Sequence, residues 1–120
     1  MTGPDDGEGF EERLFAYGTL REPVVQVAVF GRTVEGVEAT LFGWRVDSVQ
    51  VTDDRVIALS GTDIHRTLKP GAGTDRVDGL ILKLTPHDLL AADEYEATDY
   101  RRMKAPLGNG RFAWVYVAKD

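Results

Sequence analysis

The 120-residue chain, 42% hydrophobic and 28% charged, has the size and balance of one ordinary globular domain. It has no cysteine, which excludes a disulfide framework, a thiolate zinc site and a cysteine nucleophile. No apolar run approaches the roughly 18 residues that cross a bilayer, and no charged-then-apolar leader opens the chain, so a cytoplasmic protein without a membrane partner is expected.

The net charge of −6 is concentrated at the start. Residues 1–12 hold Asp5, Asp6, Glu8, Glu11 and Glu12 without a base, which predicts a disordered, solvating acidic tail. Residues 13–120 are then a single, nearly neutral domain. Without a basic patch interleaved with aromatics, nucleic acid is not an expected partner. Leu14 to Tyr17 reads as a short strand that runs straight into Gly18 and Thr19. In 22–32, Pro23 near the start and Gly31 near the end suit a short helix, although the valines suit a strand equally well. Residues 33–51 alternate as strand, with Gly36 and Gly43 marking bends or bulges.

Residues 55–60, RVIALS, read as a further strand after a turn at Asp53-Asp54, and 61–75 as a long loop rich in glycine. Residues 76–85 return to strand. Thr85 as cap, Pro86 in the first turn and Asp88 near the positive helix end predict a helix over 86–95, with Leu89, Ala92 and either Leu90 or Tyr95 facing inward. Two strands, YRRMKAPL and RFAWVYVAK, close the chain around a turn at 108–110. About six strands with one strong helix make an α+β domain dominated by a mixed or antiparallel, curled sheet.

The two histidines, His65 and His87, and the two serines, Ser48 and Ser60, sit in no hydrolase motif. They form no ligand-like cluster either, so no metal is expected. What remains is carboxylate chemistry. Asp93, Glu94, Glu96 and Asp99 surround Tyr95 and Tyr100 ahead of Arg101 and Arg102. One reading is a solvated, acidic helix end. In the other, the negative end of the helix dipole and partial burial raise the pKa of Glu96 and fit it for acid/base work near neutrality. Trp44 and Trp114 read as packing residues, Asp93 as a structural acid, and at most one of Arg101 and Arg102 as facing a pocket.

YGTLR after an N-terminal strand, paired with DEYEATDYRR after a late helix, resembles the gamma-glutamylcyclotransferase-like superfamily, nearest its small AIG2-like members. EATLFGWRV, VDGLILKLT and WVYV follow in matching order, so the resemblance covers residues 13–118. It implies a small β-barrel with one or two flanking helices. It also implies a transferase or lyase that releases 5-oxoproline from a small gamma-glutamyl amine or peptide without metal or cofactor. Glu96 is implied as the catalytic acid/base. Tyr17, Gly18, Thr19, Leu20 and Arg21, with Tyr100 beside them, are implied as the substrate cradle, and Tyr116 is a weaker addition from the closing strand. A non-catalytic metabolite-binding or interaction module of the same fold is the alternative, and the oligomeric state is left open. Two departures stand out. Ala97 follows the glutamate where the family usually has glycine, and alanine would be strained by about 1 kcal/mol there if the position needs positive φ. The segment ALSGTDIHRTLKPG also lacks the family's usual proline-containing stretch before the strand.

Overall fold

The computed structural model describes residues 11–107 and 110–119. The acidic stretch over residues 1–10 and two residues of the predicted 108–110 turn lie outside them. Among the described residues, seven strands and three helices follow in order: β1 (Glu12–Ala16), α1 (Pro23–Phe30), β2 (Gly36–Phe42), β3 (Trp44–Gln50), α2 (Asp54–Ser60), β4 (Ile64–Pro70), β5 (Arg76–Leu84), α3 (Pro86–Glu96), β6 (Tyr100–Pro106) and β7 (Phe112–Ala118). A short 3-10 turn over Thr19–Arg21 separates β1 from α1. β1 starts one residue inside the expected tail, where the Glu12 carboxylate accepts a hydrogen bond from Trp114 Nε1 at 3.0 Å.

The strands form a five-stranded mixed sheet in the order β2-β5-β1-β7-β6 and a two-stranded sheet of β3 and β4. β1 runs antiparallel to β5 and parallel to β7. Its side chains alternate between two cores. Leu14 and Ala16 join Val25 of α1, Val56 of α2 and Leu89 and Ala92 of α3. Phe15 and Tyr17 join Leu68 of β4, Val77 and Val115 on the opposite face. The central strand is therefore apolar on both sides, which is why LFA shows no polar alternation. The small sheet covers the face away from the helices, and Ala118 N donates to Thr67 Oγ1 at 2.9 Å between the two sheets. These two sheets account for the hydrogen-bonded ladders among the described residues, and no closed barrel is among them.

Two expected elements differ. The predicted strand at 55–60 is helix α2. Asp53 is its N-cap and accepts from Arg55 N, and Gly61 ends it in the left-handed region at φ 82°. The pair read as a turn is thus a helix start, and Val56 is the buried residue of this short helix. The predicted loop at 61–75 contains β4, paired with β3 from Gln50↔Ile64 to Trp44↔Pro70. Of the two glycines expected to bend strands, Gly43 takes φ 86° and turns β2 into β3, whereas Gly36 simply opens β2.

The remaining helices follow their signals. Pro23 opens α1 and Gly31 closes it at φ 84°. Thr85 and Asp88 cap α3 reciprocally, Leu89 and Ala92 are buried, Tyr95 packs against the core and Leu90 is exposed. Burial pulls the Asp88 pKa upward, but its bonds to Arg32 and Thr85 outweigh this and hold it below the ordinary value. Arg32 grips Asp88 with two bonds of 3.0 and 2.8 Å, which ties the end of α1 to the start of α3.

Candidate active site

β1 delivers the chain to a turn held from below. Arg21 N and Glu22 N donate to Gly18 O and Thr19 O at 3.1 and 3.0 Å. Gln26 on α1, buried, donates to Leu20 O at 2.8 Å and accepts from Val34 N at 3.0 Å. Thr19 Oγ1 lies 3.0 Å from the Tyr95 hydroxyl, and Arg66 donates to Tyr17 O at 3.0 Å. These bonds use carbonyls and side chains. None of the hydrogen bonds among the described residues uses the amides of Gly18, Thr19 or Leu20. A Cβ added at Gly18 would meet nothing within 4 Å, so the space above this turn is open.

Tyr17, Gly18, Thr19 and Leu20 line one cavity together with Glu96 and Tyr100. Tyr116 of β7 and His65 and Arg66 of β4 complete its polar wall, and its volume is about 30 Å³. Arg21 does not reach it. Its side chain is exposed, donates to Gly18 O at 3.2 Å and lines an outer groove of about 830 Å³ with Glu22, Glu38 and Asp78. Gly18 borders both spaces. Glu96 itself is the last residue of α3, inside the final turn.

The carboxyl of Glu96 makes no side-chain hydrogen bond among the described residues. Burial, and then the charge of Asp99, pushes its pKa up to about 8. Asp99 is fixed in place by Thr52 N at 3.0 Å, Thr52 Oγ1 at 2.9 Å and Asp53 N at 3.3 Å. The rise expected for Glu96 is therefore present, with burial as its chief cause. Ala97 has φ −56° and ψ −33°, ordinary right-handed values. The strain expected from a left-handed position is absent, because the backbone leaves α3 through Ala97 into a turn closed by Asp99 N donating to Glu96 O at 3.2 Å.

Three tyrosines complete the wall. Tyr17 donates to Tyr116 O, Tyr100 to Arg66 O at 2.8 Å, and Tyr116 to Asp93 Oδ1 at 2.7 Å. Burial first, and the nearby Glu96 charge among smaller causes, hold all three hydroxyls well above the ordinary tyrosine pKa. Asp93 is gripped by Arg102 at 2.8 and 3.0 Å. Arg102 also stacks over Trp114 at 4.1 Å, and neither it nor exposed Arg101 lines the cavity. Trp44 and Trp114 pack against the cores. No group of three or more His, Asp or Glu side chains among the described residues has the geometry to hold a metal ion.

Sequence reasoning missed His65 and Arg66 as cavity residues. The sequence carries little signal for them, because β4 buries the polar His65 and Thr67 and exposes the apolar Ile64.

A family model described as "Gamma-glutamyl cyclotransferase, AIG2-like" matches residues 14–120. AIG2-like protein C of Arabidopsis thaliana is 33% identical over 90 residues, which are 74% of this chain and 45% of that protein. The chain thus spans less than half the length of this relative. A solved structure of a gamma-glutamyl cyclotransferase superposes with a TM-score of 0.67 at 17% identity, covering 91% of this chain and 67% of that one. A solution structure of an Arabidopsis thaliana protein gives 0.65 at 20% identity, covering 89% and 61%. At these identities the structural likeness is one of fold.

Proposed function

Because the chain belongs to the gamma-glutamyl cyclotransferase, AIG2-like family, we propose that it releases 5-oxoproline from a small gamma-glutamyl amine or peptide, with Glu96 as the proton carrier. The observation that carries this reading is a carboxyl without a hydrogen-bond partner among the described residues, raised to a pKa of about 8, in the cavity bordered by the unused amides of Gly18, Thr19 and Leu20.

The chemistry needs those parts. The substrate's α-nitrogen attacks its own γ-carbonyl carbon, a lactam C–N bond forms, and the C–N bond to the departing amine breaks. Two protons leave the α-ammonium and two reach the departing nitrogen. A carboxyl whose pKa lies near that of an α-amino group can accept and return protons without a large energetic step. Charge that develops on the γ-carbonyl oxygen needs donors already in place, and each such donor contributes about 3 kcal/mol in comparable sites. The amides of the 18–20 turn serve either that oxygen or the substrate's carboxylate. Nucleophile and electrophile share one molecule, so proximity is built into the substrate. The departing amine extends into the outer groove beyond Gly18, where Arg21 lies. Release of 5-oxoproline from a panel of gamma-glutamyl amines by wild type, and its loss in Glu96→Gln, tests the reading. Equal turnover by both proteins removes Glu96 from the mechanism.

A second reading rests on the contrast between the narrow cavity of about 30 Å³ and the adjoining groove of about 830 Å³. A non-catalytic module of the same fold would bind its metabolite in that groove, beside Gly18 and Arg21, without engaging Glu96. Thermal stabilisation by ligands with no turnover across the same panel would favour it.

A further inference from the structure

The proposed reaction leaves the imidazole of His65 unused, and any role for that ring in catalysis rests on the proposed activity. His65 is 6% exposed and lines the cavity with Glu96. Its Nε2 lies 2.9 Å from Ser60 Oγ and 3.1 Å from Thr62 O. A carbonyl oxygen can only accept. Ser60 has one hydroxyl proton, and its oxygen lies within hydrogen-bond distance of two carbonyls, Val56 O at 2.8 Å and Thr62 O at 3.1 Å. With that proton directed to a carbonyl, both neighbours meet Nε2 with lone pairs. The neutral ring is thereby fixed as the Nε2–H tautomer, and Nδ1 carries a bare lone pair.

Nδ1 has no hydrogen-bond partner among the described residues, yet no buried side-chain nitrogen or oxygen among them lacks one. Nδ1 therefore has solvent-accessible surface, and His65 lines the cavity. The tyrosine hydroxyls of the cavity wall direct their protons into the protein, to Tyr116 O, Arg66 O and Asp93, so none of them donates to the space. His65 Nδ1 and the Glu96 carboxylate are thus acceptors among the lining residues, while Arg66 is held on Tyr17 O and the 18–20 turn supplies donors. An amino-acid head, cationic at nitrogen and anionic at carboxylate, matches that polarity.

We propose that His65 Nδ1 accepts a hydrogen bond from the substrate's α-ammonium and holds it beside Glu96. His65 is then a substrate-binding residue that selects for a free α-amino group. The test uses γ-L-glutamyl methylamide as substrate and N-methylglutaramate, the same molecule without its α-amino group, as competitive inhibitor. His65→Gln keeps a donor for Ser60 and Thr62 and places nothing at Nδ1. It is expected to raise the substrate KM about tenfold or more and to leave the inhibitor constant of N-methylglutaramate unchanged. An unchanged KM, or equal losses for both compounds, overturns the role of His65 and leaves the proposed activity standing. Absence of 5-oxoproline release by wild type overturns the activity, and this role with it. Nitrogen-15 spectra of the two imidazole rings supply a measurement on the wild-type protein, whatever the variant's folding. They are expected to show His65 as Nε2–H, with its Nδ1 signal moving when N-methylglutaramate is replaced by L-glutamate. An Nδ1–H ring, or an Nδ1 signal blind to that exchange, overturns the inference.

Discussion

Glu96→Gln should make the protein more stable, most of all at alkaline pH. The fold holds the Glu96 pKa near 8 against an ordinary value of 4.5, chiefly by desolvation of a half-buried carboxyl, with the Asp99 charge adding to the rise. The folded state therefore binds this proton more tightly than the unfolded chain does. The group's contribution to stability is fully present below the unfolded pKa and is lost as pH rises through about 8. At 1.36 kcal/mol per unit, the loss integrates to at most about 3 kcal/mol at pH 7 and about 5 kcal/mol above pH 8, upper bounds for a half-buried carboxyl. Glutamine has nearly the same shape and no charge to desolvate, and no side-chain hydrogen bond of Glu96 is lost in the exchange. Urea unfolding of both proteins at pH 5, 7 and 9 measures the difference. Other carboxylates titrate in both proteins and cancel. A gap that widens with pH supports the reasoning; a gap that stays flat shows that Glu96 is hydrated and ordinary, and refutes it.

Three further outcomes are expected at the turn and the helix end. Gly18→Ala should fold with unchanged thermal stability, since its Cβ meets nothing within 4 Å and φ is −129°. Its KM for a gamma-glutamyl amine should rise, because that methyl occupies the approach to the amides; unchanged kinetics would remove the cradle. Ala97→Gly should lower stability by about 0.5–1 kcal/mol by thermal unfolding, since Ala97 is right-handed. A stabilised variant would mean that the position is left-handed after all. Gln26→Leu should cost about 1–3 kcal/mol in urea unfolding by leaving Leu20 O and Val34 N unpaired, with a loss of substrate affinity as the turn loosens.

Much of the site was legible because its residues sit at element ends whose signals are local. Gly18 ends a strand that is apolar on both faces, and Thr85, Pro86 and Asp88 locate the helix whose last residue is Glu96. The residues between were harder to read. DRVIALS offers one buried side chain, Val56, and β-branched residues that suit a strand, so its capping Asp53 and Gly61 were the better guide. β4 pairs with β3 alone and exposes Ile64, Arg66 and Lys69, which gives a weak apolar signal between glycines. Missing that strand meant missing His65, which reaches the cavity only through long-range pairing. Arg21 illustrates the converse. It belongs to the motif in sequence, yet the tight 3-10 turn swings its side chain back onto Gly18 O and away from Glu96.

The central claim is that Glu96 carries the proton, and the pH profile of kcat/KM for 5-oxoproline release tests it most directly. The expected rate climbs with pH to a midpoint near 8 as the Glu96 carboxylate forms, and Glu96→Gln shows no such limb. A profile that is flat between pH 6 and 9, or a limb that survives in the variant, would contradict the claim.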